Sequence, residues 1–92
     1  MELDIEKFDK FIGNKPRGEV WVVDYFAGWC GPCRAMAPAY RKFARMMIDH
    51  PVVHVATIDC AVYSGLCKEQ MINSYPSILL YKASSFGTRA PV

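Results

Sequence analysis

Apolar and polar positions follow two different patterns in the first part of the chain. Residues at the spacing of one helix face come first: Ile5, Phe8, Phe11 and Ile12. Asp4 precedes them as a candidate N-cap, and "GNKP" (13–16) ends the segment. By contrast, "EVWVVDYFA" (19–27) is dense in valine and aromatic residues without alternation, as in a strand buried on both faces. The pattern predicts an amphipathic helix followed by a central strand.

A longer helical pattern comes next. Pro32, a residue favoured in the first turn of a helix, precedes an apolar stripe at helical spacing: Met36, Tyr40, Phe43, Ala44, Met47 and Ile48. Further on, "PVVHVATID" (51–59) predicts a strand and "YSGLCKEQMI" (63–72) a short helix. "SILLYK" (77–82) predicts another strand, which is entered through Pro76.

The order of elements is αβαβαβ, which predicts one α/β domain over residues 1–82. The expected sheet has three strands, with 20–27 in the centre and two unpaired edges. The last ten residues, "ASSFGTRAPV" (83–92), are small, polar and interrupted by glycine and proline, so we expect an irregular tail.

Composition and charge narrow the classes of function. An apolar fraction of 52% with 22% charged residues is typical of one small globular domain. A net charge of +2 without any run of lysine or arginine does not fit a nucleic-acid-binding protein. No apolar run approaches the ~20 residues of a membrane span, and the acidic start "MELDIEKFDK" is unlike a signal peptide. We therefore expect neither nucleic acid nor membrane as a partner.

Candidate chemistry lies in the first two cysteines, Cys30 and Cys33. The predicted junction of strand and helix places Cys30 at a helix N-terminus, where unpaired N–H groups and the positive end of the helix dipole stabilise a thiolate. The thiolate is the species that attacks a disulfide. Cys33, one turn further on, is close enough to attack the mixed disulfide that results. The spacing predicts a two-electron redox switch.

The second pair, Cys60 and Cys67, leaves alternatives open. A zinc site built from all four cysteines is disfavoured, because six residues separate the second pair, beyond the usual spacing of structural zinc ligands. A continuous helix would place the two α-carbons about 10 Å apart, too far for a disulfide. A bridge therefore requires a non-helical turn at 61–63, and the sequence favours neither the bridge nor two buried thiols. We expect no metal and no cofactor.

Three motifs together resemble the thioredoxin superfamily: "WCGPC" after "VVDYFA", Pro38 five residues after the second cysteine, and "YPS" leading into a strand. The resemblance covers about residues 3–82. It is strongest to the catalytic modules of the protein disulfide isomerase family, in particular the C-terminal thioredoxin module of the endoplasmic-reticulum DnaJ reductase. It implies a thioredoxin-like α/β fold with a central mixed sheet flanked by helices. Because family members add elements before the first helix and after "SILLYK", the fold is expected to be truncated at both ends.

The resemblance also implies roles for individual residues. Cys30 would be the nucleophile and Cys33 the resolving cysteine, and the substrate groove would be lined by Trp29, Gly31, Pro32, Tyr75 and Pro76. A cis bond between Tyr75 and Pro76 would free the Tyr75 backbone to pair with an extended substrate. Asp24 matches the buried acid of the family. Burial would raise its pKa and suit it to exchange a proton with Cys33, whereas an aspartate in a strand could instead face solvent.

The Gly-Pro pair between the cysteines resembles reducing thioredoxin, whereas Gly-His is usual in oxidising isomerases. The general potentials of the two classes differ by roughly 90 mV, about 4 kcal/mol. We therefore expect a protein-disulfide reductase with isomerisation as a side activity. Its expected partners are disulfide-containing client proteins, a thiol electron donor and, within a longer chain, a DnaJ/Hsp70 chaperone system.

The resemblance implies the endoplasmic reticulum lumen, with the cytoplasm as the alternative. Two competing interpretations are a non-catalytic client-binding module and a shortened, inactive fragment of a larger disulfide reductase.

Overall fold

The computed structural model describes residues 1–14, 18–82 and 89–91, and within them a mixed sheet has four strands: β1 (Val20–Phe26), β2 (Val53–Asp59), β3 (Ser77–Tyr81) and β4 (Arg89–Pro91). Their order in the sheet is β2-β1-β3-β4. β2 runs parallel to β1, and β3 runs antiparallel to both β1 and β4. The apolar segment 19–27 is therefore the internal strand that its composition predicted.

The expectation of a three-stranded sheet with two unpaired edges is wrong. β4 lies within the predicted irregular tail and pairs with the outer side of β3; residues 83–88 and 92 lie outside the described part of the chain. At the other edge, Glu2 lies opposite Thr57 in a parallel bridge, and two backbone hydrogen bonds of 2.8 Å hold Thr57 to the N-terminal segment. Segments near both ends of the chain thus pair with the sheet over one to three residues. Segments this short show no periodicity, so the sequence does not predict them.

Three helices accompany the sheet in the described part of the chain: α1 (Ile5–Phe8), α2 (Gly31–Met46) and α3 (Ser64–Glu69). α1 continues as a π-helical segment, Asp9–Gly13. Asp4 caps α1 as predicted, because its carboxylate accepts a hydrogen bond from the Lys7 N–H at 2.7 Å. Among the described residues, no helix has both the length and the apolar character needed to cross a bilayer.

The predicted apolar helix faces are correct except at their ends. Phe8 and Ile12 are buried, but Ile5 at the start of α1 is 54% exposed. In α2, Tyr40 is buried, as its place in the stripe predicted. Ile48 is 78% exposed, because α2 ends two residues before it and the chain leaves the helix face.

Different helices pack on the two faces of the sheet. The face that packs against α1 and α3 contributes to one buried cluster: Leu3, Phe8, Ile12, Trp21, Val23, Tyr25, Ala56, Ile58, Cys60, Leu66, Cys67 and Tyr81. α2 lies on the opposite face. Its Tyr40 hydroxyl is 3.1 Å from the Val22 carbonyl oxygen and 2.8 Å from that of Ala56. This hydroxyl anchors α2 to both β1 and β2.

Cys60 and Cys67 form a disulfide, with their α-carbons 5.8 Å apart. The turn between β2 and α3 is non-helical, and in it the Asp59 carboxylate accepts a hydrogen bond from the Ala61 N–H at 3.0 Å. Of the two alternatives left open, the structure has the bridge, so these sulfurs are not available as zinc ligands. Within the described residues, no group of three or more His, Cys, Asp or Glu side chains is placed to hold a metal ion.

α3 ends in a Schellman motif with an unusual residue at its turn. The Met71 N–H donates to the Lys68 carbonyl and the Ile72 N–H to the Cys67 carbonyl, both at 2.9 Å. Met71 has a φ of 62°, in the left-handed region that favours glycine. Its side chain is 71% exposed, so packing does not offset the unfavourable backbone conformation.

Met71→Gly should therefore stabilise the domain. The substitution removes the Cβ that makes this backbone conformation unfavourable, and we expect the free energy of unfolding in urea to rise by up to about 1 kcal/mol. Lys68→Gly, within α3, is the matched control and should lower it by about 1 kcal/mol. A loss of stability in Met71→Gly would contradict the prediction.

Candidate active site

The junction between β1 and α2 presents Cys30 at the start of the helix. Cys30 is the N-cap residue of α2, its N–H donates to the Ala27 carbonyl at 3.0 Å, and its sulfur accepts a hydrogen bond from the Cys33 N–H at 3.2 Å. Pro32 follows in the first turn, where a missing N–H leaves no helix bond unmade. The sulfur takes the place of a capping oxygen at the positive end of a 16-residue helix, a position that stabilises negative charge.

Cys33 has a different environment. Both cysteines are free thiols and both are buried. Burial raises the pKa of the Cys33 thiol, and its hydrogen bond with Cys30 raises it further. Cys30 therefore has a sulfur to which a helix N–H donates, whereas Cys33 is a thiol that needs a base to lose its proton.

The segment before β3 contacts Cys30 from another side. Tyr75 and Pro76 are joined by a cis peptide bond, as the resemblance implied, and the Cys30 thiol donates to the Tyr75 carbonyl at 3.6 Å. Trp29 is 69% exposed, and its ring meets that of Tyr75 edge-on, with centroids 5.7 Å apart. We call Trp29, Tyr75 and Pro76, to which the resemblance assigns substrate binding, the client surface. The exposed first turn of α2 supplies the other two predicted substrate-binding residues, Gly31 and Pro32.

Asp24 lies within β1, on the sheet face that carries α2. Its side chain is 5% exposed, and its Oδ1 has no hydrogen-bond partner among the described residues. Burial raises the pKa of Asp24 from 3.8 to about 6. Asp24 and Cys33 both line a cleft of about 320 Å³ between the sheet and α2. The prediction that this aspartate is buried, with a raised pKa, is confirmed, and the alternative that it faces solvent is wrong.

Residues outside the predicted set also contribute to the site. Arg34, one of the basic residues of α2, donates from Nη1 to the Gly28 carbonyl at 3.0 Å and so ties the helix to the turn before Cys30. Thr57 and Glu2 line the same cleft as Asp24. The sequence signal for Thr57 is a polar residue within an apolar strand, but its place beside Asp24 depends on a register that the sequence does not reveal.

A cysteine at a helix start, with a second cysteine one turn later, is the arrangement expected of a thiol-disulfide site on an α/β domain. The thioredoxin family model matches residues 1–90, and the chain belongs to the thioredoxin family. DnaJ homolog subfamily C member 10 of Xenopus laevis is 39% identical over 79 residues. The thioredoxin domain-containing protein 5 homolog of Drosophila melanogaster is 39% identical over 83 residues.

These matches cover 86% and 89% of the chain but only 10% and 19% of the two relatives. The chain thus spans between about a tenth and a fifth of their length.

Solved structures of single thioredoxin modules superpose on the whole chain. The Trx4 domain of ERdj5 matches with a TM-score of 0.85 and 29% identity, covering 100% of the chain and 80% of that domain. The first thioredoxin domain of mouse protein disulfide-isomerase A4 matches with a TM-score of 0.80 and 30% identity, covering 99% of the chain and 61% of that domain. The predicted thioredoxin-like fold and the likeness to these modules are confirmed.

Ionisation of Asp24 should make the stability of the domain fall as pH rises. The folded state keeps the carboxyl proton up to about pH 6, whereas the unfolded chain releases it near 3.8, so the folded state binds more protons between these values. The contribution of this group to the free energy of unfolding should therefore decrease from about pH 4 to about pH 7, by up to about 3 kcal/mol.

Urea denaturation of the wild type and of Asp24→Asn across this range checks the prediction. The unfolding free energy of Asp24→Asn relative to the wild type should increase with pH and level off above about pH 7. A difference between the two proteins that stays constant with pH would contradict a raised pKa at Asp24.

Proposed function

We propose that the domain is a thiol-disulfide oxidoreductase that reduces disulfides in client proteins. The observation that carries the proposal is the position of the Cys30 sulfur. It accepts the Cys33 N–H at the N-terminus of α2 and lies 3.6 Å from the Tyr75 carbonyl oxygen. A helix N–H thus points at the sulfur that would attack, and the exposed ring of Trp29 lies beside it as a surface on which a client can rest.

In the first step, the Cys30 thiolate attacks one sulfur of a client disulfide. An S–S bond forms between Cys30 and the client, and the client's other cysteine leaves as a thiolate. The client chain would lie on Trp29 and Tyr75, pairing with the Tyr75 backbone as in a short strand addition. Gly31 and Pro32 add little bulk at the first turn of α2, so they leave the approach to Cys30 open.

In the second step, Cys33 resolves the mixed disulfide. Asp24, in the same cleft, acts as the base that takes the Cys33 proton. A carboxyl with a pKa of about 6 is mostly ionised at neutral pH, so it can accept this proton. The Cys33 thiolate then attacks the Cys30 sulfur, the Cys30–Cys33 disulfide forms, and the client leaves with its second thiolate. A thiol electron donor must then return two electrons to the domain.

The Gly31–Pro32 pair between the cysteines supports reduction as the main direction, with isomerisation as a side activity. The likeness to ERdj5 modules supports a location in the endoplasmic reticulum lumen, with the cytoplasm as the alternative. The Cys60–Cys67 disulfide fits an oxidising compartment. The DnaJ-type relatives support a DnaJ/Hsp70 chaperone system as a partner when the domain is part of a longer chain.

Cys33→Ser should trap a covalent complex with a client, and Cys30→Ser should form none. Without Cys33 the mixed disulfide on Cys30 has no internal thiolate to resolve it. Each reduced variant is incubated with insulin, and the products are identified by mass spectrometry under non-reducing conditions, with insulin reduction by the wild type as the reference. Insulin binding without reduction or trapping would favour the non-catalytic client-binding module instead.

Trp29→Ala should slow client capture without unfolding the domain. Truncating an exposed aromatic anchor typically costs more than 1 kcal/mol of binding, so we expect the rate of capture to fall about tenfold. The rate is measured in the Cys33→Ser background.

Ile48→Ala is the matched control. It removes an apolar side chain that is 78% exposed. Ile48 lies two residues beyond the far end of a 16-residue helix, which is about 24 Å long, so the substitution should leave capture unchanged. Equal effects of Trp29→Ala and Ile48→Ala would contradict a specific client surface.

A further inference from the structure

Three oxygen-bearing side chains stand in register across the sheet. Asp24 of β1 lies opposite Thr57 of β2, and Thr57 lies opposite Glu2 of the N-terminal segment. Residues that oppose each other in a sheet share a face, and neighbouring strands are about 4.8 Å apart. Oxygens of opposed side chains at this spacing are too far apart for a direct hydrogen bond but can exchange a proton through a bridging water molecule. We call Asp24, Thr57 and Glu2 the polar row.

The polar row leads from the interior to solvent. Asp24 is buried, Thr57 is half-buried and Glu2 is exposed. All three line the cleft of about 320 Å³ between the sheet and α2, which has room for water, whose share of the liquid volume is about 30 Å³ per molecule. Asp24 Oδ1, which lacks a hydrogen-bond partner in the described part of the chain, is thus placed at the inner end of a route to the surface.

This route is separate from the client surface. Cys33 lines the cleft, but among the described residues that line it there is no member of the client surface, nor Cys30. Cys33 therefore lies between two compartments, with Cys30 and the client on one side and Asp24 on the other. A client bound over Trp29 and Tyr75 covers the first compartment and leaves the second open.

We propose that Thr57 and Glu2 relay the proton of Cys33 from Asp24 to solvent while a client is bound to Cys30. The relay rests on the proposed function, and Thr57 and Glu2 act on Cys33 only through Asp24. The S–H bond of Cys33 breaks as its proton moves to the Asp24 carboxylate. Asp24 passes a proton to the Thr57 hydroxyl, Thr57 passes its own hydroxyl proton to the Glu2 carboxylate, and Glu2 releases it to water.

The electrons take a different path from the proton. The electron pair left on the Cys33 sulfur forms the new bond to the Cys30 sulfur, and the client sulfur leaves with the pair of the bond that breaks. Asp24 returns to its carboxylate form, so the relay consumes nothing.

Asp24 has neighbours on β3, on α2 and along the cleft. β3 places Ile78 opposite Asp24. The Tyr40 hydroxyl is held by the Val22 and Ala56 carbonyls, and burial raises its pKa, so it stays protonated and does not compete as a base. Among the described residues, the other titratable or charged groups that line the cleft are Cys33, Arg34, Arg41 and Glu2.

Thr57→Val is the central test, because it removes the hydroxyl and keeps the shape and the branching at Cβ. Single turnovers are quenched with acid, alkylated and quantified by mass spectrometry. We expect resolution of the mixed disulfide to slow about tenfold near pH 7, and its solvent deuterium isotope effect to increase. Thr57→Ser should restore the wild-type rate.

Glu2→Gln tests the outer end of the row and should slow the same step. Glu6→Gln is its matched control, because it removes the same charge from an exposed residue of α1 that does not line the cleft; it should leave resolution unchanged. Should Thr57→Val fail to fold, the comparison of these two variants decides, since Glu2 is exposed.

The outcomes separate the relay from the function on which it rests. Unchanged resolution and an unchanged isotope effect in Thr57→Val and Glu2→Gln would overturn the relay and leave the proposed function standing. A failure of Thr57→Ser to restore the rate would also overturn it, since the defect would then be structural. A Cys33→Ser domain that captures no client, together with a wild-type domain that reduces none, would overturn the proposed function itself.

Discussion

Hydrogen bonding on both sides of β1 brings together Asp24, the turn that carries the two free cysteines and the Tyr75–Pro76 segment. Because β2 is parallel to β1, the two strands finish at the same end of the sheet, where the Cys60 N–H donates to the Phe26 carbonyl at 2.7 Å. Because β3 is antiparallel to β1, it begins at that same end of the sheet, with Ser77 opposite Tyr25. The turn to α2, the Tyr75–Pro76 segment and the disulfide therefore converge at one end of the sheet. Pairing with β1 therefore brings residues from distant parts of the chain to the same end of the sheet.

The features that were predicted correctly depend on residues that are close together in the sequence. Unbroken apolar composition identified β1, Pro32 marked the first turn of α2, and Asp4 capped α1. The candidate site was predicted from motifs, since the two cysteines, Asp24 and the Tyr75–Pro76 pair stand at spacings that resemble the family. What was missed depends on pairing between distant segments: β4, the bridge of Glu2 with Thr57, and the placement of Thr57 beside Asp24. A period of two assigns faces only once the register is known.

The burial of Asp24 opposes the stability of a small fold. An ionised carboxyl whose Oδ1 has no hydrogen-bond partner among the residues that the structure describes is unfavourable in the interior, by up to about 3 kcal/mol here. A domain of this size has little stability in reserve. The Cys60–Cys67 disulfide closes a short loop and contributes about 2 to 3 kcal/mol in the chain-entropy model. The two effects are similar in size, so the disulfide offsets the cost of burying Asp24.

The two tryptophans of the chain have opposite surroundings. Trp29 stands beside Cys30 with 69% of its surface exposed, whereas Trp21 is 3% exposed. Trp21 stacks between Phe11 and His54, with ring centroids 5.6 and 4.8 Å away. A quencher that stays in water, such as iodide, reaches Trp29 and leaves Trp21 untouched. The intrinsic fluorescence of the chain therefore carries two separable signals, so that occupation of the client surface and integrity of the core can be followed in one unlabelled sample.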